Sequence, residues 1–290
     1  MIRSIIPLGF DSFGVRSMAT YVETDDVKLL IDPGVSLAPL RYGLEPHPLE
    51  LQRMDEVWSD IENYSSISDI LIITHYHYDH HDPYMTQIYN GKIVIIKNPN
   101  ENINFSQMKR AKYFLEKIKN LPSKILIADG NIYRFGDTIL SFSKAVFHGT
   151  NSKLGFVVEV SVKSGGEKFL YTSDVEGPSI EDQVNFILNE KPQILFVDGP
   201  MTYMLGYRYS RKSLELSIEN IIKIINLNCI ETMVLDHHLL RDLKFRDHIS
   251  RVYDIAKDFN CKIITAAEFC GRSIEMLEAH RRNLYEKYGD

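Results

Sequence analysis

A short apolar run that ends in a cluster of metal-binding side chains constrains this chain most: Asp69-Ile-Leu-Ile-Ile-Thr74-His75-Tyr-His77-Tyr-Asp79-His80-His81-Asp82-Pro83. Asp69–Ile73 is apolar and rich in β-branched residues after its first position, which predicts a short buried strand. Four candidate ligands, His75, His77, Asp79 and His80, follow within six residues of its end. The alternation of His75 and His77 puts two imidazoles on one side of an extended turn. Asp79 and His80 come from the next bend and can serve a neighbouring position. Imidazole and carboxylate together suit zinc, iron or manganese. Two such ions about 3.5–4 Å apart can share a hydroxide and clamp the attacking and leaving oxygens of a displacement.

The rest of the chain must supply a scaffold for that turn. With 290 residues, 44% hydrophobic and 25% charged, it matches a soluble globular protein large enough to bury its own core. No repeat, low-complexity tract or long Pro/Gly/Ser linker divides it, so one domain over residues 1–290 is expected. A net charge of −6 disfavours a surface built for long nucleic acid. Cys229, Cys261 and Cys270 are widely spaced and form no C-x-x-C pair, so neither a disulfide framework nor a thiolate zinc site is expected. No stretch approaches the roughly twenty apolar residues of a membrane span, and no secretory leader is read in the opening residues. A cytoplasmic location is the expectation, with assembly into oligomers left open.

Strands are predicted at Arg3–Leu8, Ser17–Glu23, Val27–Ile31, Lys92–Ile96, Lys124–Ile127, Ile139–Phe147, Phe156–Val162 and Lys168–Tyr171. Helices are predicted at Leu49–Asp60 and Phe105–Ile118. The last third alternates helix Ile180–Leu188, strand Ile194–Val197, helix Leu214–Ile225, strand Thr232–Leu235, helix Asp242–Phe259 and strand Lys262–Ile264. Strand-rich segments followed by helix–strand units suit two mixed sheets with helices outside.

Thr-His-x-His-x-Asp-His closely resembles the hallmark motif of the metallo-β-lactamase superfamily. The family's other elements have candidates in the same order, each at the end of a predicted strand. Asp32 resembles the early aspartate that orients the metal loop by hydrogen bonds. His148 resembles the third histidine of the first metal, Asp174 the bridging carboxylate, and His237 the last histidine of the second metal. His238 follows at once, so it stands as the alternative for that last position. The extra His81 is expected to lie behind the ligands or on the surface. The resemblance implies an α/β fold, an αββα sandwich of two mixed β-sheets flanked by helices. It further implies two divalent ions, with Zn2+ the first expectation and iron or manganese the others. The overall pattern, including Gly9-Phe-Asp-Ser-Phe-Gly14 and Leu235-Asp-His-His-Leu-Leu-Arg-Asp242, resembles an archaeal branch of predicted metal-dependent hydrolases.

Superfamily membership does not fix a substrate. The spacing leaves no room for the inserted domain of RNA-end nucleases, and the flavin-linked di-iron branch replaces the histidine that His77 keeps here. The expected activity is hydrolysis of an ester, lactone, thioester or phosphodiester, with Asp79 orienting the attacking water and taking its proton. A small phosphodiester or other anionic ester is preferred, because Tyr203, Tyr207 and Arg208 sit on a loop that can hold a phosphate and stack a base. Arg41, Tyr42, His47, Tyr209 and Arg211 are further loop candidates, and Asp198 a candidate to stand behind the ligands. The alternatives are a lactone or thioester hydrolase, an iron-dependent oxygenase of the same fold, and a metal-binding protein on a retired scaffold.

Overall fold

The computed structural model describes residues 1–289. The first sheet has six strands in sequence order: β1 (Ile2–Pro7), β2 (Thr20–Thr24), β3 (Lys28–Ile31), β4 (Ile70–Ile73), β5 (Ile93–Ile96) and β6 (Lys124–Ile127). The first three are antiparallel, and β3 to β6 run parallel. The chain then crosses to β7 (Ile132–Phe135) and β8 (Thr138–Phe142) of the second sheet, and makes a small ribbon of β9 (Val146–Phe147) and β10 (Phe156–Val157). It completes the second sheet with β11 (Val160–Ser164), β12 (Glu167–Tyr171), β13 (Ile194–Asp198), β14 (Thr232–Asp236) and β15 (Lys262–Ile264), in the order β15-β14-β13-β12-β11-β8-β7. From β12 to β15 the neighbours are again parallel.

Alternation along these strands explains the layering. Leu29, Ile31, Ile70 and Ile72 face Val160, Val162, Phe169 and Phe196 in the core between the sheets. Leu30, Leu71, Ile73 and Val94 face outward onto Val57 and Ile61 of α1 (Pro48–Ile67) and Phe114 of α2 (Phe105–Ile118). On the opposite side Leu195, Val197, Met233 and Leu235 meet Ile187 of α3 (Asp182–Glu190), Ile221 and Ile224 of α4 (Arg211–Ile225), and the helices after it. Parallel strands covered on both faces read as unbroken apolar runs, as Ile70–Ile73 does. The layers are helix, sheet, sheet, helix, as expected from the sequence.

Several boundaries differ from the sequence reading. The run Ile139–Phe147 divides into β8 and β9, and Phe156–Val162 into β10 and β11, because the chain leaves the sheet to build the ribbon. Asp242–Phe259 is two helices, α5 (Phe245–His248) and α6 (Ser250–Asp258), broken at Ile249, whose φ of −116° leaves the helical range. The strand β7 and the helices α7 (Ala266–Phe269) and α8 (Leu277–Tyr288) were not foreseen.

One buried group sits at odds with this core. Glu159, just before β11, is fully buried, and neither carboxylate oxygen has a hydrogen-bond partner among the described residues. Burial raises its pKa well above the ordinary 4.5, so it folds as the neutral acid. An unfolded Glu159 gives up its proton above about pH 4.5 while the folded one keeps it. The titration-linked part of its effect is therefore absent at low pH and costs up to about 1.4 kcal/mol per pH unit as pH rises, until the folded carboxyl ionises. Glu159→Met should exceed the parent's stability by about 1–3 kcal/mol near pH 4, where an unbonded carboxyl is buried, and by a margin that widens towards pH 7. Denaturant melts across that range check this, and parallel stability profiles would contradict it.

Candidate metal centre

The candidate residues converge where parallel strands of both sheets end at their carboxyl termini, the usual binding edge of an α/β sheet. β3 delivers Asp32, β4 delivers Thr74 and the histidine turn, β12 delivers Asp174, and β14 delivers His237. The β9–β10 ribbon supplies His148. Asp32 is a fully buried anchor for three of these segments. It accepts hydrogen bonds from the Thr74 backbone N–H (2.7 Å), the Thr74 hydroxyl (2.6 Å), the Tyr171 hydroxyl (2.8 Å) and His80 Nδ1 (2.8 Å). The last bond fixes the ring of His80 so that its other nitrogen, Nε2, faces the cavity. Gly34 follows closely, and any side chain there would strike the backbone of His80 and His81 at 2.3–2.8 Å. Asp32, Ser173, Glu176 and His237 all take left-handed backbone angles, with φ between 49° and 58°. Such strain at loop ends gathers around functional sites.

Two groups of donors share one carboxylate. His75, His77, His148 and Asp174 form the first; Asp79, His80, His237 and Asp174 form the second. Asp174 Oδ2 lies 3.5 Å from His75 Nε2 and 3.2 Å from His148 Nε2. Its Oδ1 lies 2.8 Å from His80 Nε2 and 3.3 Å from His237 Nε2. One oxygen thus serves each group. Despite these separations, Nε2 of His75, His80 and His148 and Oδ1 of Asp174 are buried without a hydrogen bond in proper geometry. Buried nitrogens and oxygens that converge without a hydrogen bond are costly unless positive charge, as protons or as a metal ion, fills the space between them. This donor set fits a divalent transition metal in each group.

The electrostatics agree. Burial opposes charge on His80, yet Asp174 and Asp32 outweigh it and hold its pKa up at about 10. Burial pushes His77 down to about 3, helped by His148. Burial would raise Asp79, but His80 and His237 hold it at about 2, so it stays ionised. A cluster this dense in anion and imidazole is poised to exchange protons for metal.

The adjacent histidines part company. His237 Nε2 faces Asp174 and lies 3.9 Å from Asp79 Oδ2. His238 turns to Asp198, whose oxygens lie 3.0 and 2.9 Å from its Nδ1. His238 belongs to a separate grouping with Asp198 and Asp174. His81, expected behind the ligands or on the surface, is fully buried, bonds the His77 carbonyl through Nδ1 (2.9 Å), and packs on Tyr76 and Phe114.

A cavity of about 900 Å³ opens over the two groups. Tyr203, Tyr207 and Arg208 line it, together with Arg16, Arg110, Lys153 and Arg241. His47 does not: it caps α1 and reaches the Gly289 carbonyl, so its loop assignment is corrected. Tyr209 is buried and bonds the Ser213 carbonyl, and Arg211 begins α4. Arg41 and Tyr42 stand behind the wall, Arg41 stacked on Tyr203 at 4.9 Å and Tyr42 bonded to the Ala279 carbonyl.

Sequence reasoning missed Arg241, Asp11 and Glu176. Arg241 follows His237 by four residues, and one helical turn (His237–Arg241) stacks them. That spacing was the available signal. Glu176 Oε1 lies 3.6 Å from His148 Nδ1, and Asp11 Oδ2 lies 2.8 Å from His237 Nδ1.

Comparison with known proteins fits this architecture. No protein-family model matches the chain. A UPF0282 protein of Korarchaeum cryptofilum is 54% identical over 285 residues, covering 98% of this chain and 95% of the relative. This chain belongs to the UPF0282 family. An isothiocyanate hydrolase from Delia radicum gut bacteria superposes with a TM-score of 0.56 at 16% identity, covering 86% of this chain and 94% of that one. The metallo-β-lactamase fold protein YhfI from Bacillus subtilis aligns with a TM-score of 0.47 at 14% identity, covering 86% and 89%. The two mixed sheets and the flanking helices are the metallo-β-lactamase fold, and archaeal UPF0282 proteins are the chain's relatives in sequence. Among the described residues no helix is long and apolar enough to cross a membrane.

Proposed function

We propose that the chain is a hydrolase with a dinuclear metal centre, acting on a small phosphodiester or other small anionic ester. His75, His77, His148 and Asp174 would hold one ion, and Asp79, His80, His237 and Asp174 the other, with zinc the first choice before iron or manganese. The observation that carries this reading is the set of buried, unpartnered Nε2 atoms converging on the two oxygens of Asp174. When bound, such ions bring a water's pKa towards neutrality and polarise the oxygen of the scissile bond.

The chain's own groups do the rest. Asp79, ionised and lining the cavity, orients the attacking water and accepts its proton. Asp32 holds His80 in one orientation through Nδ1. Arg208, exposed on the wall, offers charge-assisted hydrogen bonds to an anionic group, and Tyr203 and Tyr207 offer faces for a planar leaving group or base. A large anionic polymer would meet a chain of net charge −6.

Protein loaded with zinc or manganese should hydrolyse bis(p-nitrophenyl) phosphate in preference to a lactone or a thioester. Arg208→Ala should raise KM about tenfold with metal content unchanged. Robust lactone or thioester turnover with no phosphodiesterase activity would reject the substrate class and leave the hydrolase reading standing. Oxygen consumption with iron would move the chain to the oxygenases of this fold. His237→Ala should lose about one metal equivalent, whereas His238→Ala should keep both; the reverse pattern would move the last ligand one residue along.

A further inference from the structure

The two donor groups are not equivalent, and the difference is one side chain. In the first group, Nε2 of His75 and of His148 has no hydrogen-bond partner, and no lysine or arginine lies within 4 Å of Asp174 Oδ2 among the described residues. In the second group, His80 Nε2 is likewise without a hydrogen bond, but His237 Nε2 is capped: Arg241 Nη2 donates to it at 3.1 Å. The same Nη2 lies 4.0 Å from Asp79 Oδ2, another donor of that group. Arg241 is held there. It is 4% exposed, its Nε donates to Asp11 Oδ1 at 2.7 Å, and its backbone carbonyl accepts from Arg41 Nη2 at 3.0 Å. Asp11 Oδ2 in turn lies 2.8 Å from His237 Nδ1, whose own hydrogen bond goes to the Ser17 carbonyl at 3.1 Å, so the carboxylate bonds the arginine and sits close beside the histidine.

We propose that Arg241 makes this centre bind its two metal ions with unequal affinity, the second group filling last and weakly. The inference rests on the dinuclear reading above. Two effects act in the same direction. A cation can reach the His237 lone pair only after the guanidinium hydrogen bond breaks. Once there, it stands beside a side chain that does not lose its charge, in surroundings where like charges a few ångströms apart repel strongly. Asp11 compensates part of that charge through its bond from Arg241 Nε, but the guanidinium keeps the face it turns to His237. In the first group the charge of Arg110 reaches His77, but its guanidinium bonds the Tyr76 carbonyl at 3.5 Å and caps no donor nitrogen, so that group fills first.

Calorimetric titration of chelator-stripped protein with Zn2+ or Mn2+ reads both steps without any assay of activity. The parent should bind one ion tightly and a second at least tenfold more weakly. Arg241→Gln removes the charge and should tighten the second step about tenfold, on the scale by which residues next to a metal ligand alter its affinity. Arg241→Lys keeps the charge and should leave the second step within a few-fold of the parent. Arg241→Met serves the same purpose as the glutamine variant should that one not fold. Equal step affinities in the parent, or a second step unmoved or weakened by Arg241→Gln, would overturn this inference while leaving the dinuclear centre intact. Absence of any binding would instead remove the dinuclear reading itself.

Discussion

Asp174→Ala is expected to strip metal from both groups at once, whereas no single histidine change does so. The reason is geometric: its two oxygens divide between the groups, Oδ2 towards His75 and His148, Oδ1 towards His80 and His237. It is 1% exposed, and it is the one carboxylate common to both donor groups among the described residues. Loss of the charge stabilisation that two metals supply, several kcal/mol, corresponds to a fall in turnover of about 10³-fold. The alanine variant should also retain well under half of the parent's metal at matched free-metal concentration. Full metal content would show that Asp174 is not shared between the groups.

The second large effect concerns the far end of the chain. Arg281 on α8 and Glu50 on α1 are both fully buried, joined by two hydrogen bonds of 2.7 and 2.8 Å. Arg281 also donates to the carbonyls of Leu44 and Ala38, both at 3.0 Å, and Glu50 accepts from the His47 backbone N–H at 2.9 Å. This single side chain pins the loop between Asp32 and α1 against the helix. Arg281→Met would leave a buried carboxylate without its partner, a change that costs about 3–5 kcal/mol. For a chain of this size the melting temperature should fall by roughly 5–8 °C. Arg281→Met combined with Glu50→Gln should recover part of that loss, because the stranded charge is gone. A shift below about 2 °C in the single variant would mean that the pair contributes no more than a surface ion pair.

The second effect marks where sequence reading stops. The apolar strand Ile70–Ile73 and the turn after it were legible because strand and ligands are contiguous, so burial pattern and chemistry could be read together. Asp32, His148, Asp174 and His237 are scattered singly, and only their order at strand ends, matched to a known family, drew them together. Arg241 and Asp11 were not legible as partners, because 230 residues separate them and each reads alone as an ordinary surface charge. The helix α8 is polar on most positions and carries no strong apolar stripe; it docks through Arg281 and Glu278 rather than through hydrophobic periodicity. His47 was misplaced for a related reason. A histidine on a proline-bounded loop reads as a cleft residue, but its Nδ1 accepts from the Leu49 N–H and caps α1 instead. The splitting of Ile139–Phe147 likewise depended on Ser143, whose hydroxyl accepts the Glu159 N–H where the strands part.

The central claim is that one chain holds two metal ions between the donor groups that share Asp174. Elemental analysis of protein saturated with zinc and freed of excess metal tests it most directly. Two equivalents per chain are predicted, falling to about one in His237→Ala and towards none in Asp174→Ala. No more than one equivalent in the parent at saturation would contradict the dinuclear centre, and none at all would contradict the metal site.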